Sequence, residues 1–251
     1  MQDRYAADIG DFGKFQLLRY LFNDTDYILK QIWYMYPDEN HNGDGKYINY
    51  FEKVEGMDLL LENTFKNVIN TKRDVKALEN AKLLQNCDYF SDFVNKNGKD
   101  TLEYRKNWFK KAISFCKQAD FIFVDPDNGI ATKVLKKENC KDIELLCFNS
   151  FNKKTKSGKY IFFDEIETLY KIGKCVVIYH HLNRSMTHDN QIEIIKKELE
   201  KSFSFVLAIK HKPYSPRVYF FIFKEESINS FLSNKLTQFE NKFSIHWQLF
   251  L

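Results

Sequence analysis

The sequence predicts an α/β fold, a mostly parallel sheet with helices on both faces, on three observations. Two short and wholly apolar runs, Phe121 to Val124 and Cys175 to Tyr179, end in polar or turn residues, as strands buried on both faces of a parallel sheet do. Stretches with apolar residues at helical spacing lie between the candidate strands. Two late runs, Phe205 to Ile209 and Val218 to Phe223, are joined by too short a connection for a crossover, so that pair must be antiparallel.

Taken in chain order, Asp11 to Phe22 carries Phe12, Phe15, Leu18, Leu21 and Phe22 on an amphipathic pattern, with Asp11 placed as N-cap. Gly10 and Gly13 are expected to end an extended N-terminal arm and start that helix. Ile32 to Tyr36 is apolar and aromatic, stops at Pro37, and reads as a buried strand. Met57 to Gln118 shows helical spacing and no clear strand, so a mainly helical insertion is expected at about 51–118. The strand at Phe121 to Val124 runs into the turn Asp125-Pro126-Asp127-Asn128-Gly129. A helix around Phe163 to Lys171 precedes the strand at Cys175 to Tyr179, and another from about Asn190 to Lys201 precedes the closing hairpin.

The chain has 251 residues, 44% hydrophobic and 29% charged, which excludes the disordered and fibrous classes and permits a full core without a metal or a disulfide. With four prolines, no repeat and no linker, one domain over 1–251 is expected. No window holds the roughly 18 apolar residues of a membrane span, and the opening residues are too polar for a secretory signal. A cytoplasmic protein with no membrane partner is the expectation. Five widely spaced cysteines lack the pairing of zinc sites and read as reduced thiols, mostly in the core.

Between Lys133 and Lys159 eight lysines face three acids, while the remainder of the chain is close to neutral. That local excess would draw a nucleic acid, RNA or DNA, or would simply be solvated surface.

Ligands of open α/β sheets bind beyond the carboxyl ends of the strands. Each of the three expected strands runs into polar residues: Asp38, Glu39, Asn40 and His41 after the first; Asp125, Asp127 and Asn128 after the second; His180 and His181 after the third. Of the two histidines, alternation along the strand end turns only one toward the site. Asn40-His41-Asn42-Gly43-Asp44-Gly45 offers a glycine-containing loop in which Gly43 and Gly45 allow close backbone approach to a ligand, and a bare turn accounts for it equally. Asp125-Pro126-Asp127-Asn128 holds carboxylate and amide groups outward on a proline-stiffened turn, where they can orient an amino group for attack on an electrophile. Phe12, Tyr36 and Tyr179 are placed to stack on an unstacked base, or to be core. Lys14 on the first helix can neutralise a phosphate or a carboxylate.

A glycine-containing loop after the first strand, an Asp-Pro turn after a central strand and a terminal antiparallel hairpin together resemble the class I S-adenosylmethionine-dependent methyltransferases, whose sheet is Rossmann-like. The N-terminal helix with Lys14 and the helical insertion before the Asp-Pro turn look most like the large-subunit ribosomal RNA adenine-N6 methyltransferases. Members of that family carry Asp-Pro-Pro-Tyr at the turn, where this chain has Asp125-Pro126-Asp127-Asn128, so the stacking aromatic is replaced. The resemblance implies a transferase that methylates a nucleic acid amino group. Lys14, Asp125, Asp127 and Asn128 would stand at the catalytic turn, and Asp38, Asn40, His41, Gly43 and Gly45 along S-adenosylmethionine. A competing reading gathers Asp125, Asp127, Asp38 or Glu39, and His180 or His181 around Mg²⁺ or Mn²⁺ in a nuclease or phosphoesterase. A third makes the same rim a non-catalytic module that binds a nucleotide or a partner.

Overall fold

The computed structural model describes residues 1–39, 45–95, 97, 99–136, 141–152 and 156–251. Helix α1 (Ile9–Phe22) starts ahead of the expected position because Asp8, not Asp11, is its N-cap: the Asp8 carboxylate accepts from the backbone N–H of Gly10 and Asp11 at 2.7 and 3.1 Å. Gly10 and Gly13 therefore lie inside the helix, three residues apart and on one face. A Cβ on Gly10 would stand 2.5 Å from the guanidinium of Arg217, and one on Gly13 would stand 2.8 Å from the ring of His211. Their missing side chains let α1 lie directly on the sheet.

Strand β1 (Leu29–Trp33) begins three residues before the expected Ile32, and the aromatic run beyond it leaves the ladder, keeping only an isolated bridge from Met35 to Phe93. Helices α2 (Leu59–Asn70) and α3 (Val75–Asn80) come next, then β2 (Cys87–Phe90) and α4 (Leu102–Phe115). The expectation of a helical insertion without a strand is thus corrected: β2 pairs parallel with β1 as the sheet's edge. Its four residues, Cys-Asp-Tyr-Phe, are half-buried or exposed, so they lack the continuous apolar signature of a central strand.

The central strand β3 (Phe121–Asp125) is wholly buried. It leads through β4 (Gly129–Ile130), β5 (Thr132–Lys136), β6 (Lys141–Leu145) and β7 (Tyr160–Ile161) to α5 (Phe163–Ile172). Part of the lysine-rich segment forms the antiparallel pair β5–β6. After it come β8 (Cys175–His181), α6 (His188–Glu200), β9 (Phe205–His211) and β10 (Arg217–Phe223). The expected antiparallel hairpin forms from β9 and β10, but the chain does not stop there. Helix α7 (Glu226–Lys242) and β11 (Trp247–Phe250) lie beyond it, and β11 pairs antiparallel with β9, so the sheet has two reversed strands, β10 and β11.

The seven-stranded order is β11-β9-β10-β8-β3-β1-β2. Alternate residues of each strand enter two separate cores. Phe121, Phe123, Val177, Tyr219 and Phe221 pack with α1, α2, α3 and α7. Ile122, Val124, Ile178, Val218 and Phe220 pack with α4, α5 and α6 on the other face. The result is a mixed α/β sheet, mostly parallel and covered on both sides. Among the described residues no helix is long and apolar enough to cross a membrane. Cys116 and Cys175 are buried, Cys87 is half-buried and Cys147 is exposed, so the core holds fewer thiols than expected; Cys140 lies outside the described residues.

Candidate active site

From β1 the chain passes to β2 on one side, while β3 lies on the other, so the crevice of the sheet opens between the carboxyl ends of β1 and β3. A cleft of about 970 Å³ occupies that rim, within the size range of small-molecule sites. Asp125, the last residue of β3, is at its floor, and strand parity decides which neighbours join it. Asp125, Tyr179, His181 and Arg217 share the odd register of Phe121, Phe123, Val177 and Tyr219, so all four face α1, and all four line the cleft.

Lys14 reaches down from α1 and donates to Asp125 Oδ2 at 2.7 Å and to Asp11 Oδ1 at 2.8 Å. Asp11 Oδ2 accepts from the backbone N–H of Ala7. The three residues are 2–4% exposed, and the Lys14 Nζ lies 4.5 Å from the centroid of the Trp33 ring. Burial by itself would lower the Lys14 ammonium, but the two carboxylates outweigh it and raise it. Burial raises both Asp125 and Asp11 above the ordinary carboxyl value, against the pull of Lys14. One ammonium between two carboxylates leaves the cluster with an excess of negative charge.

A second cluster forms the adjoining wall. Lys159 donates to Asp127 Oδ2 and Glu39 Oε2, both at 2.8 Å, and its Nζ lies 4.8 Å from the Tyr36 ring centroid. Lys156 pairs with Glu39, and Gln2 Nε2 donates to Asp127 at 3.1 Å. Burial opposes ionisation of both acids. Lys156 and Lys159 nevertheless hold Glu39 down to about 2, and the Met1 ammonium with Lys159 does the same for Asp127.

The residues expected at the site thus divide. Lys14, Asp125, Asp127, Asn128 and Gly45 all line the one cleft, Asn128 with its backbone N–H bonded to the carbonyl of Lys159. Asp125 and Asp127 do not project outward as expected, because each is drawn under an ammonium group. Asp38 is exposed and accepts from the backbone N–H of Arg4 at 3.2 Å; its neighbour Glu39 takes the place in the cleft. Asn40, His41 and Gly43 lie outside the described residues. Of the three candidate stacking rings only Tyr179 lines the cleft: Phe12 packs on Tyr50 in the core, and buried Tyr36 donates its hydroxyl to Asp100 at 2.9 Å.

His181 lines the cleft, whereas His180 points to the opposite face, where Nδ1 accepts from the backbone N–H of Ile130 at 3.0 Å. Gly129, at φ +91°, makes room for that ring: a Cβ there would stand 2.4 Å from His180 Nδ1. Burial lowers His180 to about 3. Because the fold keeps it neutral while the unfolded chain protonates near pH 6.5, its stabilisation is present above that pH and is lost as pH falls toward 3. Urea denaturation of the wild-type chain from pH 6.5 to 4 should therefore lose about 1.4 kcal/mol per pH unit more than the His180→Asn variant. Equal slopes would contradict a neutral buried imidazole.

Lys159 and Arg217 are cleft residues that sequence reasoning missed, as is buried Gln2, which holds Asp127 without lining the cleft. Among the described residues, no three His, Cys, Asp or Glu side chains stand together as a metal site, and the rim carboxylates Glu39, Asp125 and Asp127 are each paired with ammonium groups.

No family model and no curated protein matches the chain. Among solved structures, it is similar to a Legionella pneumophila str. Philadelphia 1 protein of the DUF519 family, at 12% identity and a TM-score of 0.46 over 97% of this chain and 95% of that one.

Proposed function

We propose that the protein transfers a methyl group from S-adenosylmethionine to an amino group of a nucleic acid, RNA or DNA, in the cleft at the carboxyl ends of β1 and β3. The observation that carries this reading is Asp125: a buried carboxylate at the end of the central strand, facing the cleft, with one oxygen fixed by Lys14. An amino group needs a hydrogen-bond acceptor that turns its lone pair toward the electrophile, and a carboxylate locked from behind supplies one without rotating.

The residues present suit the cofactor. The excess negative charge of Asp11, Lys14 and Asp125 beside the cleft complements a sulfonium cation. Gly45, at φ +76°, lines the same space with Asn128, and its bare Cα lets the Arg4 carbonyl and the Tyr5 ring close in behind it. S-adenosylmethionine, when bound, supplies an electrophilic methyl group on that sulfonium. The protein's own work is to orient and to shield: Asp125 directs the acceptor amine, Lys14 keeps Asp125 in place, and Tyr179 offers a ring edge or face beside it. A bound base can stack on such a ring although the tyrosine of Asp-Pro-Pro-Tyr is absent. The paired state of Glu39, Asp125 and Asp127 disfavours the metal-dependent reading, since each would first have to give up a lysine.

Calorimetric titration tests the reading. S-adenosylmethionine should bind with one site per chain, and Mn²⁺ should give no heat of binding. Mn²⁺ binding without cofactor binding would overturn the proposal in favour of phosphoryl chemistry.

A further inference from the structure

The charges of the cleft are segregated. Along the β1 and β3 side every lysine is paired, Lys14 with two aspartates and Lys156 and Lys159 with Glu39 and Asp127. At the β8 and β10 side stands Arg217, the first residue of β10 and the register partner of His181. It is 5% exposed, and its Nε and Nη1 are buried with no hydrogen-bond partner among the described residues. Asp8 and Asp11 lie within electrostatic reach and favour its charged form, but neither forms an ion pair with it among the described residues. Arg184, after β8, is exposed on the same wall and likewise forms no ion pair among the described residues.

Burying guanidinium N–H groups without hydrogen-bond acceptors is unfavourable, and folded proteins tolerate it where a ligand completes the site. Nothing in the packing requires an arginine here. A Cβ on Gly10 would stand 2.5 Å from Arg217 Nη1, so the bare glycine leaves the guanidinium its place against α1. The planar fork of arginine matches a phosphate, and two arginines on one wall match a phosphodiester strand better than they match a single small anion.

We infer that Arg217, with Arg184 at the mouth, forms a backbone-phosphate subsite that holds the nucleic acid acceptor at the end of the cleft opposite Asp125. This rests on the proposed function for the identity of the acceptor, but the binding itself requires no methyl transfer.

The test is fluorescence anisotropy of the full chain with a labelled single-stranded RNA decamer and the matching DNA decamer between 50 and 200 mM salt, beside calorimetry with S-adenosylmethionine. Arg217→Gln should weaken binding of the bound decamer roughly tenfold or more, reduce the slope of log affinity against log salt by about one, and leave cofactor affinity unchanged. Arg184→Gln, at an exposed position that folding does not need, should act in the same direction with a smaller loss. Thermal unfolding of both variants should show folded protein at the assay temperature, so that a loss of decamer binding is read as a lost contact and not as lost structure. Unchanged decamer affinity and salt slope in both variants would overturn the inference. So would a selective loss of cofactor affinity in Arg217→Gln, which would assign the guanidinium to the methionine carboxylate. If the decamer effects appear and S-adenosylmethionine does not bind, the subsite stands and the methyl-transfer reading falls.

Discussion

Asp125→Asn should lower methyl-transfer turnover by two to three orders of magnitude while S-adenosylmethionine affinity changes by less than a few-fold. The substitution preserves shape, so its effect comes from the direction of the amide. Lys14 can only donate, and it lies 2.7 Å from Asp125 Oδ2, so the amide must turn its carbonyl oxygen to Lys14. Its NH₂ then faces the cleft where the wild-type chain presents a carboxylate oxygen. Two donors confront each other, and the acceptor amine loses the group that aims its lone pair. Loss of a preorganised group of this kind typically reduces rate by about 10²–10³-fold. The fold should not suffer, because Asp11 and Lys14 remain as a neutral pair. Single-turnover kinetics beside cofactor titration separates the terms; turnover within threefold of wild type would remove Asp125 from the reaction.

Lys14→Met should destabilise the fold by about 3–5 kcal/mol at neutral pH, the usual consequence of removing one partner from a buried ion pair. Asp11 and Asp125 would be left 2–4% exposed with no counter-charge between them. The sign of the pH dependence comes from their direction of shift. Both carboxyls are already raised in the native protein, and without Lys14 they rise further, so the variant gains relative stability as pH falls and loses it as pH increases through the folded-state values. Urea midpoints of variant and wild type should therefore converge toward pH 4 and diverge toward pH 7. The double variant with Asp11→Asn should recover part of the loss. A destabilisation independent of pH would mean that the lysine matters through packing alone.

The legibility of this site in the sequence depends on the range of the interactions. The central strands can be read because burial on both faces demands continuous apolar runs, and the cleft can be placed because the sheet rule acts on strand ends. Lys14 and Asp125 are each visible singly; their contact, across 111 positions, has no local signature. Lys159 looks like one member of a basic segment, and its burial depends on Glu39 and Asp127, which lie far from it in the chain. Arg217 sits in sequence at the end of the connection between strands. Its alternation with Tyr219, Phe221 and Phe223 carries the clue that it faces inward. Strand β2 escapes notice because an edge strand of four half-exposed residues has no pattern to read. The spacing of Ile228, Leu232, Leu236 and Phe239 is a plain helix signal that the hairpin before it obscures.

Helix α1 meets the two ends of the cleft at once, gripping Asp125 through Lys14 and lying against Arg217 at Gly10. It is a single rail of hydrogen-bonded backbone with its glycine face flush on the sheet, so a ligand that displaces it at one end displaces it at the other. Whatever factor the first occupant imposes on the affinity of the second must be returned in the opposite order of addition. Coupling between two such occupants would need no domain movement, only a shift of this one helix.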